Sequence, residues 1–140
     1  MIGNRITAAR TRMGMSQQDQ ADRIGAKPAE RRQLGTRGTD IHYYRIAKET
    51  LDGIGANGYT LLIDAPWDDS WGITNLRTRE ISISTTAPEQ YVPSIALHEY
   101  GHIEQAKRGV TEDSDALEVE ADQYACSKGA TWVWYLGSCP

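Results

Sequence analysis

The chain has 140 residues and a formal net charge of −4, a length that suits one compact domain, or a small one with an N-terminal appendage. No long apolar run is present, which excludes a membrane-spanning helix, and the N-terminus lacks the apolar core of a secretory signal peptide, so a cytoplasmic location is expected. Residues 1–50 hold ten Lys and Arg against five Asp and Glu, whereas residues 51–140 hold five against fourteen. Such asymmetry between the two halves indicates two functions, and the basic first half suits an anionic partner.

Residues 1–37 are predicted to form short helices separated by glycines. The stretches GMSQ (residues 14–17) and ADRIG (residues 21–25) resemble the start of Xre-type helix-turn-helix domains, which bind DNA. However, Gln20 and Arg31 stand where that fold buries apolar side chains, and a recognition helix needs a firm core behind it. We therefore predict a degenerate helix-turn-helix-like region that does not read a DNA sequence.

The middle of the chain is predicted to contain one helix and three strands. Residues 35–40 carry no apolar side chain and indicate a linker, and residues 43–51 have the apolar spacing of a helix. Residues 59–63 form a short apolar run that suits a strand. Residues 71–76 and 80–85 then suggest a hairpin, since apolar and polar side chains alternate in the second of these stretches.

The strongest chemical signal is H-E-x-x-H at residues 98–102, in a helix predicted over residues 94–108. Two histidines four residues apart lie on one helical face, so His98 and His102 both reach one metal ion. Glu99 points about 100° away around the axis, which suits a general base that takes a proton from a metal-activated water. Imidazole with carboxylate ligation makes Zn²⁺ the expected ion.

A second acidic helix is predicted over residues 114–128 and supplies the third ligand. Glu118 and Glu120 flank its apolar stripe on opposite sides, and helix geometry alone does not separate them. Two histidines and one glutamate give the three-ligand count of a catalytic zinc site.

Residues 98–102, followed by EVEADQYA at residues 118–125, resemble the ImmA/IrrE type of zinc metallopeptidase within the gluzincins. The resemblance implies that Glu120, which precedes Ala121, is the third ligand. It also implies an α+β fold for residues 38–140: a small zincin-like domain with a short β-sheet packed on the H-E-x-x-H helix. The expected function is zinc-dependent cleavage of a regulatory protein such as a phage or mobile-element repressor.

Three further expectations follow. An oxyanion-stabilising group is expected, and Tyr100, Tyr124 and Tyr135 are the candidates. Cys126 and Cys139 are predicted to be free thiols in a reducing compartment, and a disulfide between them stays open only for an oxidising setting. The rival to the peptidase is a DNA-associated regulatory protein that uses the zinc fold as a sensor or scaffold; an intact Glu99 speaks against it, since a structural site needs no general base.

Overall fold

The computed structural model describes residues 38–64 and 71–140, so the predictions for residues 1–37, including the helix-turn-helix-like region, lie outside the described residues. The described part is a small mixed α+β structure with three α-helices and a three-stranded sheet. In chain order its elements are α1 (Gly38–Gly53), β1 (Thr60–Asp64), β2 (Gly72–Asn75), β3 (Glu80–Ser84), a 3₁₀ turn (Glu89–Tyr91), α2 (Val92–Lys107) and α3 (Asp115–Ser127).

The sheet has the strand order β1-β3-β2, with β3 parallel to β1 and antiparallel to β2. The antiparallel pair is the predicted hairpin, which is confirmed. Asn75 closes its turn, because its side-chain Oδ1 accepts the backbone N–H groups of Arg77 and Thr78. Ile81 and Ile83 on β3 are completely buried, so the central strand supplies much of the core.

Helix α1 begins earlier than the sequence predicted, and its first residues occupy part of the expected linker. Asp40 lies in the first turn and is buried, where a carboxylate is favoured by the positive end of the helix dipole. The helix is held to the rest of the fold by Tyr43, whose hydroxyl donates to the carbonyl of Ala87 at 2.6 Å.

Helix α2 is the central element, since it packs against α1, α3 and the strands β2 and β3. Its predicted bounds are confirmed to within two residues. Pro93 stands in its first turn, where no backbone N–H is needed, and Gly109 ends it with a φ of 96°. Ile95 and Ile103 are fully buried on its core side.

Helix α3 also matches its prediction to within one residue at each end. Ser114 is the N-cap, and its hydroxyl accepts the backbone N–H of Leu117. Gly129 follows the last turn with a φ of 102°. Every helix of the described residues is too short or too polar to cross a lipid bilayer.

Residues 130–140 contain no helix or strand and fold back over α2 and α3. The Ser94 hydroxyl of α2 accepts the backbone N–H groups of Thr131 and Trp132. A disulfide joins Cys126 to Cys139, so the prediction of two free thiols is wrong. The two cysteines are brought together because the turn after α3 reverses the chain, a proximity that no compartment rule could show.

Candidate metal centre

The two histidines of the motif lie one above the other on the buried face of α2. The ring centroids of His98 and His102 are 5.0 Å apart and the rings are nearly perpendicular. Neither side chain has more than 1% of its surface exposed. The i, i+4 spacing puts both imidazoles on one face of α2, and the packing of α3 places that face between the two helices.

Close packing of the two helices brings a carboxylate to these rings. At Gly101, a Cβ atom would lie 3.1 Å from the Cα atom of Ala121, so a glycine on α2 and a small residue on α3 permit a close approach. Glu118, one turn before Ala121 on α3, then reaches across. Its Oε1 atom is 3.2 Å from Nε2 of His98 and 3.1 Å from Nε2 of His102.

These three donor atoms fit a single metal ion. They are the only group of three or more His, Cys, Asp or Glu residues in the described part of the chain whose ligand atoms all lie within 4.8 Å of one another. Ligands about 2.0–2.1 Å from a tetrahedral ion are separated by roughly 3.3 Å, close to the separations from Oε1 to the two nitrogens. A buried group of His98, His102 and Glu118 can therefore hold a metal ion.

The outer nitrogen of each imidazole has its own partner, which leaves the inner nitrogen available to an ion. Nδ1 of His98 is 2.7 Å from Oδ1 of Asp122, and Nδ1 of His102 is 2.8 Å from Oε1 of Gln105. The carboxylate of Asp122 can only accept a hydrogen bond, so it selects the form of neutral His98 that carries its proton on Nδ1. The lone pair of that imidazole is then on Nε2. This arrangement orients metal-binding histidines in many proteins.

The charges of the site are mutually dependent. Burial lowers the pKa of His98, but hydrogen bonds with Asp122 and Glu118 outweigh it and the pKa is raised. Burial also lowers the pKa of His102, and the negative charge of Glu118 outweighs it in the same way. Burial raises the pKa of Glu118, yet the two histidines lower it to about 2. A cation that binds here therefore competes with protons on the imidazoles.

Glu99 is fully buried and lies against β2. The Thr74 hydroxyl donates to its Oε1 atom at 2.6 Å. A Cβ atom at Gly72 would lie 3.0 Å from its Oε2 atom and 2.6 Å from the Cγ2 atom of Ile95, so only glycine fits there. Thr74 and Gly72 thus fix this carboxylate against the strand, and its negative charge also contributes to the raised pKa values of His98 and His102.

Glu120, the third ligand implied by the family resemblance, is not brought to the donor cluster. Its Oε1 atom accepts from Arg108 and from Gln105, both at 2.8 Å, and 46% of its side chain is exposed. The physical reason is its direction on α3: Glu118, Ala121, Asp122 and Ala125 form the buried face, and Glu120 lies beside that face. The structure therefore replaces Glu120 with Glu118 in the candidate ligand set.

The three tyrosines proposed as oxyanion stabilisers are placed differently. Tyr100 is directed away from the donors, because its hydroxyl bonds with Asn57 and Lys107. Tyr124 packs against Tyr100, and burial raises its pKa to about 12. Tyr135 stacks on His98 with 15° between the rings and 6.5 Å between the centroids. Among these candidates, Tyr135 alone has a ring contact with a donor residue.

Sequence reasoning did not identify the outer partners Asp122, Gln105 and Thr74. A signal existed for one of them: Glu118 and Asp122 are four residues apart and share a helical face with the apolar stripe. Thr74 comes from a strand 25 residues away and carried no such signal. Comparisons of the chain with models of protein families, with curated proteins and with solved structures give no match.

Proposed function

We propose that this chain is a zinc-dependent metallopeptidase whose metal ligands are His98, His102 and Glu118 and whose general base is Glu99. The observation that carries the proposal is the convergence of three donor atoms beside a fourth, separately held carboxylate. A purely structural site needs the donors but has no use for a buried glutamate next to them. The α+β arrangement, with the sheet beside the motif helix, is compatible with a zincin-like domain.

Zinc is the ion that this donor set favours. Two imidazole nitrogens and one carboxylate oxygen, with no cysteine, give a three-ligand set of the catalytic type. Bound zinc would lower the pKa of a water molecule and polarise the carbonyl group of a peptide bond. The outer partners Asp122 and Gln105 support this assignment, because they hold both Nε2 lone pairs toward the ion.

Glu99 accepts the proton of the attacking water and then delivers it to the amine that leaves. Burial excludes bulk water from its carboxylate, and the Thr74 hydroxyl limits its rotation. Tyr135 is the candidate to stabilise negative charge on the carbonyl oxygen, since it lies on the His98 side of the donors.

The substrate is proposed from the motif resemblance alone: a regulatory protein such as a phage or mobile-element repressor. The rival function, a DNA-associated regulator with a non-proteolytic zinc site, depends on residues 1–37, which lie outside the described structure. Both functions predict a bound metal, and only the peptidase requires Glu99.

The test compares wild type with Glu99→Gln. Purified protein should hold about one zinc per chain, and the variant should hold the same amount. Cleavage of a peptide library, read by mass spectrometry, should fall roughly 10²–10⁴-fold in the variant. Glu104→Gln, the same change on the same helix at a partly exposed position, is the matched control. If zinc-loaded wild type cleaves nothing in the library or in a candidate repressor, the peptidase proposal is wrong.

A further inference from the structure

Gln105 lies one turn after His102 on α2 and is 1% exposed. Its Oε1 atom is 2.8 Å from Nδ1 of His102. A neutral, buried amide beside an imidazole could place either its oxygen or its NH₂ group toward the ring, and the two orientations have opposite consequences. An amide oxygen holds a proton on Nδ1, whereas an NH₂ group would leave the proton on Nε2, where it would block a metal.

The other contacts of Gln105 decide the orientation. Its Nε2 atom is 2.8 Å from the carbonyl oxygen of Leu117 and 2.8 Å from Oε1 of Glu120. Both of these atoms accept hydrogen bonds and neither donates, so the NH₂ group must face them. The amide oxygen is therefore directed at His102, which keeps Nδ1 protonated and the Nε2 lone pair directed toward Glu118.

Glu120 is itself held in place from the surface. Nη2 of Arg108 donates to the same Oε1 atom of Glu120 at 2.8 Å, and both side chains are about half exposed. A continuous hydrogen-bonded chain therefore runs from Arg108 through Glu120 and Gln105 to the imidazole of His102.

We propose that Gln105 is a positioning residue that presents Nε2 of His102 to the metal, and that Glu120 supports this position through its hydrogen bond with Gln105 rather than as a ligand. This inference depends on the metal site of the proposed function, and it does not depend on peptidase activity. It assigns a role to Glu120 that differs from ligation: the carboxylate selects the amide orientation from outside the donor group. It also separates the two histidines, since His98 has an anionic partner in Asp122 whereas His102 has a neutral one.

The experiment measures zinc and cobalt affinity of the full chain by competition with a chelator. Gln105→Leu removes the acceptor and should weaken both affinities roughly 10–100-fold, the range for outer partners of metal-binding histidines. Gln123→Leu, the same change at an exposed position of α3, is the control and should leave affinity unchanged. Glu120→Leu should weaken affinity less than Gln105→Leu, whereas a ligand role for Glu120 predicts the reverse order.

A second variant separates packing from the hydrogen bond. Gln105→Met has a side chain of similar length and volume but no amide, so it fills the same space without an oxygen that holds the Nδ1 proton of His102. Metal affinity should fall as it does in Gln105→Leu. A folded Gln105→Met protein with wild-type affinity would overturn the proposal.

A spectroscopic measurement covers the case in which Gln105→Leu does not fold. In the zinc-loaded wild type, proton NMR should show a slowly exchanging Nδ1 proton on His102; its absence overturns the proposal. A folded Gln105→Leu protein that binds zinc with wild-type affinity would also overturn the proposal. Wild type that binds zinc without cleaving peptides would end the peptidase proposal and leave this inference standing, whereas wild type that binds no metal would end both.

Discussion

Asp122 holds the His98 imidazole at 2.7 Å with one carboxylate oxygen, while its other oxygen accepts the backbone N–H groups of Tyr135 and Leu136. One side chain therefore orients a candidate metal ligand and fastens the C-terminal segment. Because both oxygens serve as acceptors, an amide at this position could satisfy only one side.

The first prediction follows from that geometry. Asp122→Asn should lower zinc affinity roughly 10–100-fold, because an NH₂ group must face either His98 or the two backbone N–H groups. Asp115→Asn, at an exposed position in the first turn of the same helix, is the control. Affinity is measured by chelator competition, and equal affinities for the two variants would contradict a role for Asp122 in orienting His98.

The second prediction separates the two glutamates of α3. Glu118→Gln should weaken zinc binding far more than Glu120→Gln, because only Glu118 lies at hydrogen-bond distance from both Nε2 atoms. A zinc titration of the two variants supplies the comparison. The opposite order would restore the ligand implied by the family resemblance.

The third prediction concerns the contact between Gly101 and Ala121. Gly101→Ala adds a Cβ atom 3.1 Å from the Cα atom of Ala121, and such overpacking typically costs about 1–3 kcal/mol. The gain in helix propensity is at most about 1 kcal/mol, so net destabilisation is expected, together with weaker zinc binding as the helices separate. Gly53→Ala meets nothing within 4 Å and is the control. Denaturant unfolding would show the difference, and equal stability of the two variants would contradict a tight contact.

The fourth prediction is the pH dependence of the metal-free protein. The pKa of Glu118 is lowered to about 2 from 4.5, so its contribution to stability is present above pH 4.5 and is lost as pH falls toward 2. The pKa values of His98 and His102 are raised, so their contribution is present below pH 6.5 and is lost as pH rises through the folded-state values.

Stability of the metal-free protein should therefore be highest between these limits, and chemical unfolding at several pH values measures it. Zinc should reverse the alkaline loss, since the ion binds the deprotonated imidazoles. The variant Glu118→Gln should lack the acid-side loss; if it loses stability like wild type, another carboxylate is responsible.

Local signals sufficed for the elements that carry the site. Pro93 and Gly109 mark the ends of α2, Ser114 and Gly129 mark those of α3, and the alternation around Ile81 indicates the hairpin strand. These are properties of neighbouring residues, which explains why the bounds of α2 and α3 were predicted to within two residues.

The third ligand depends on a relation between helices and was not decided by the sequence. Glu118 and Glu120 flank the same stripe in an isolated helix, and the packing of α3 on α2, with its close approach at Gly101 and Ala121, places Glu118 beside the histidines. The disulfide escaped prediction for a similar reason, since the chain reversal after α3 sets the distance between the cysteines. Zinc identity and peptidase activity stay predictions.

Asp122 connects the C-terminal segment to the candidate metal ligand His98. The Cys126–Cys139 bridge restrains the segment whose N–H groups occupy one oxygen of this carboxylate, and the other oxygen steadies His98. Coupling between two binding or bonding equilibria is reciprocal. We therefore expect an ion on the imidazoles to favour the disulfide over two free thiols by the same factor by which the disulfide favours the ion, so that a dithiol reductant should make the metal easier to remove and a chelator should make the disulfide easier to reduce.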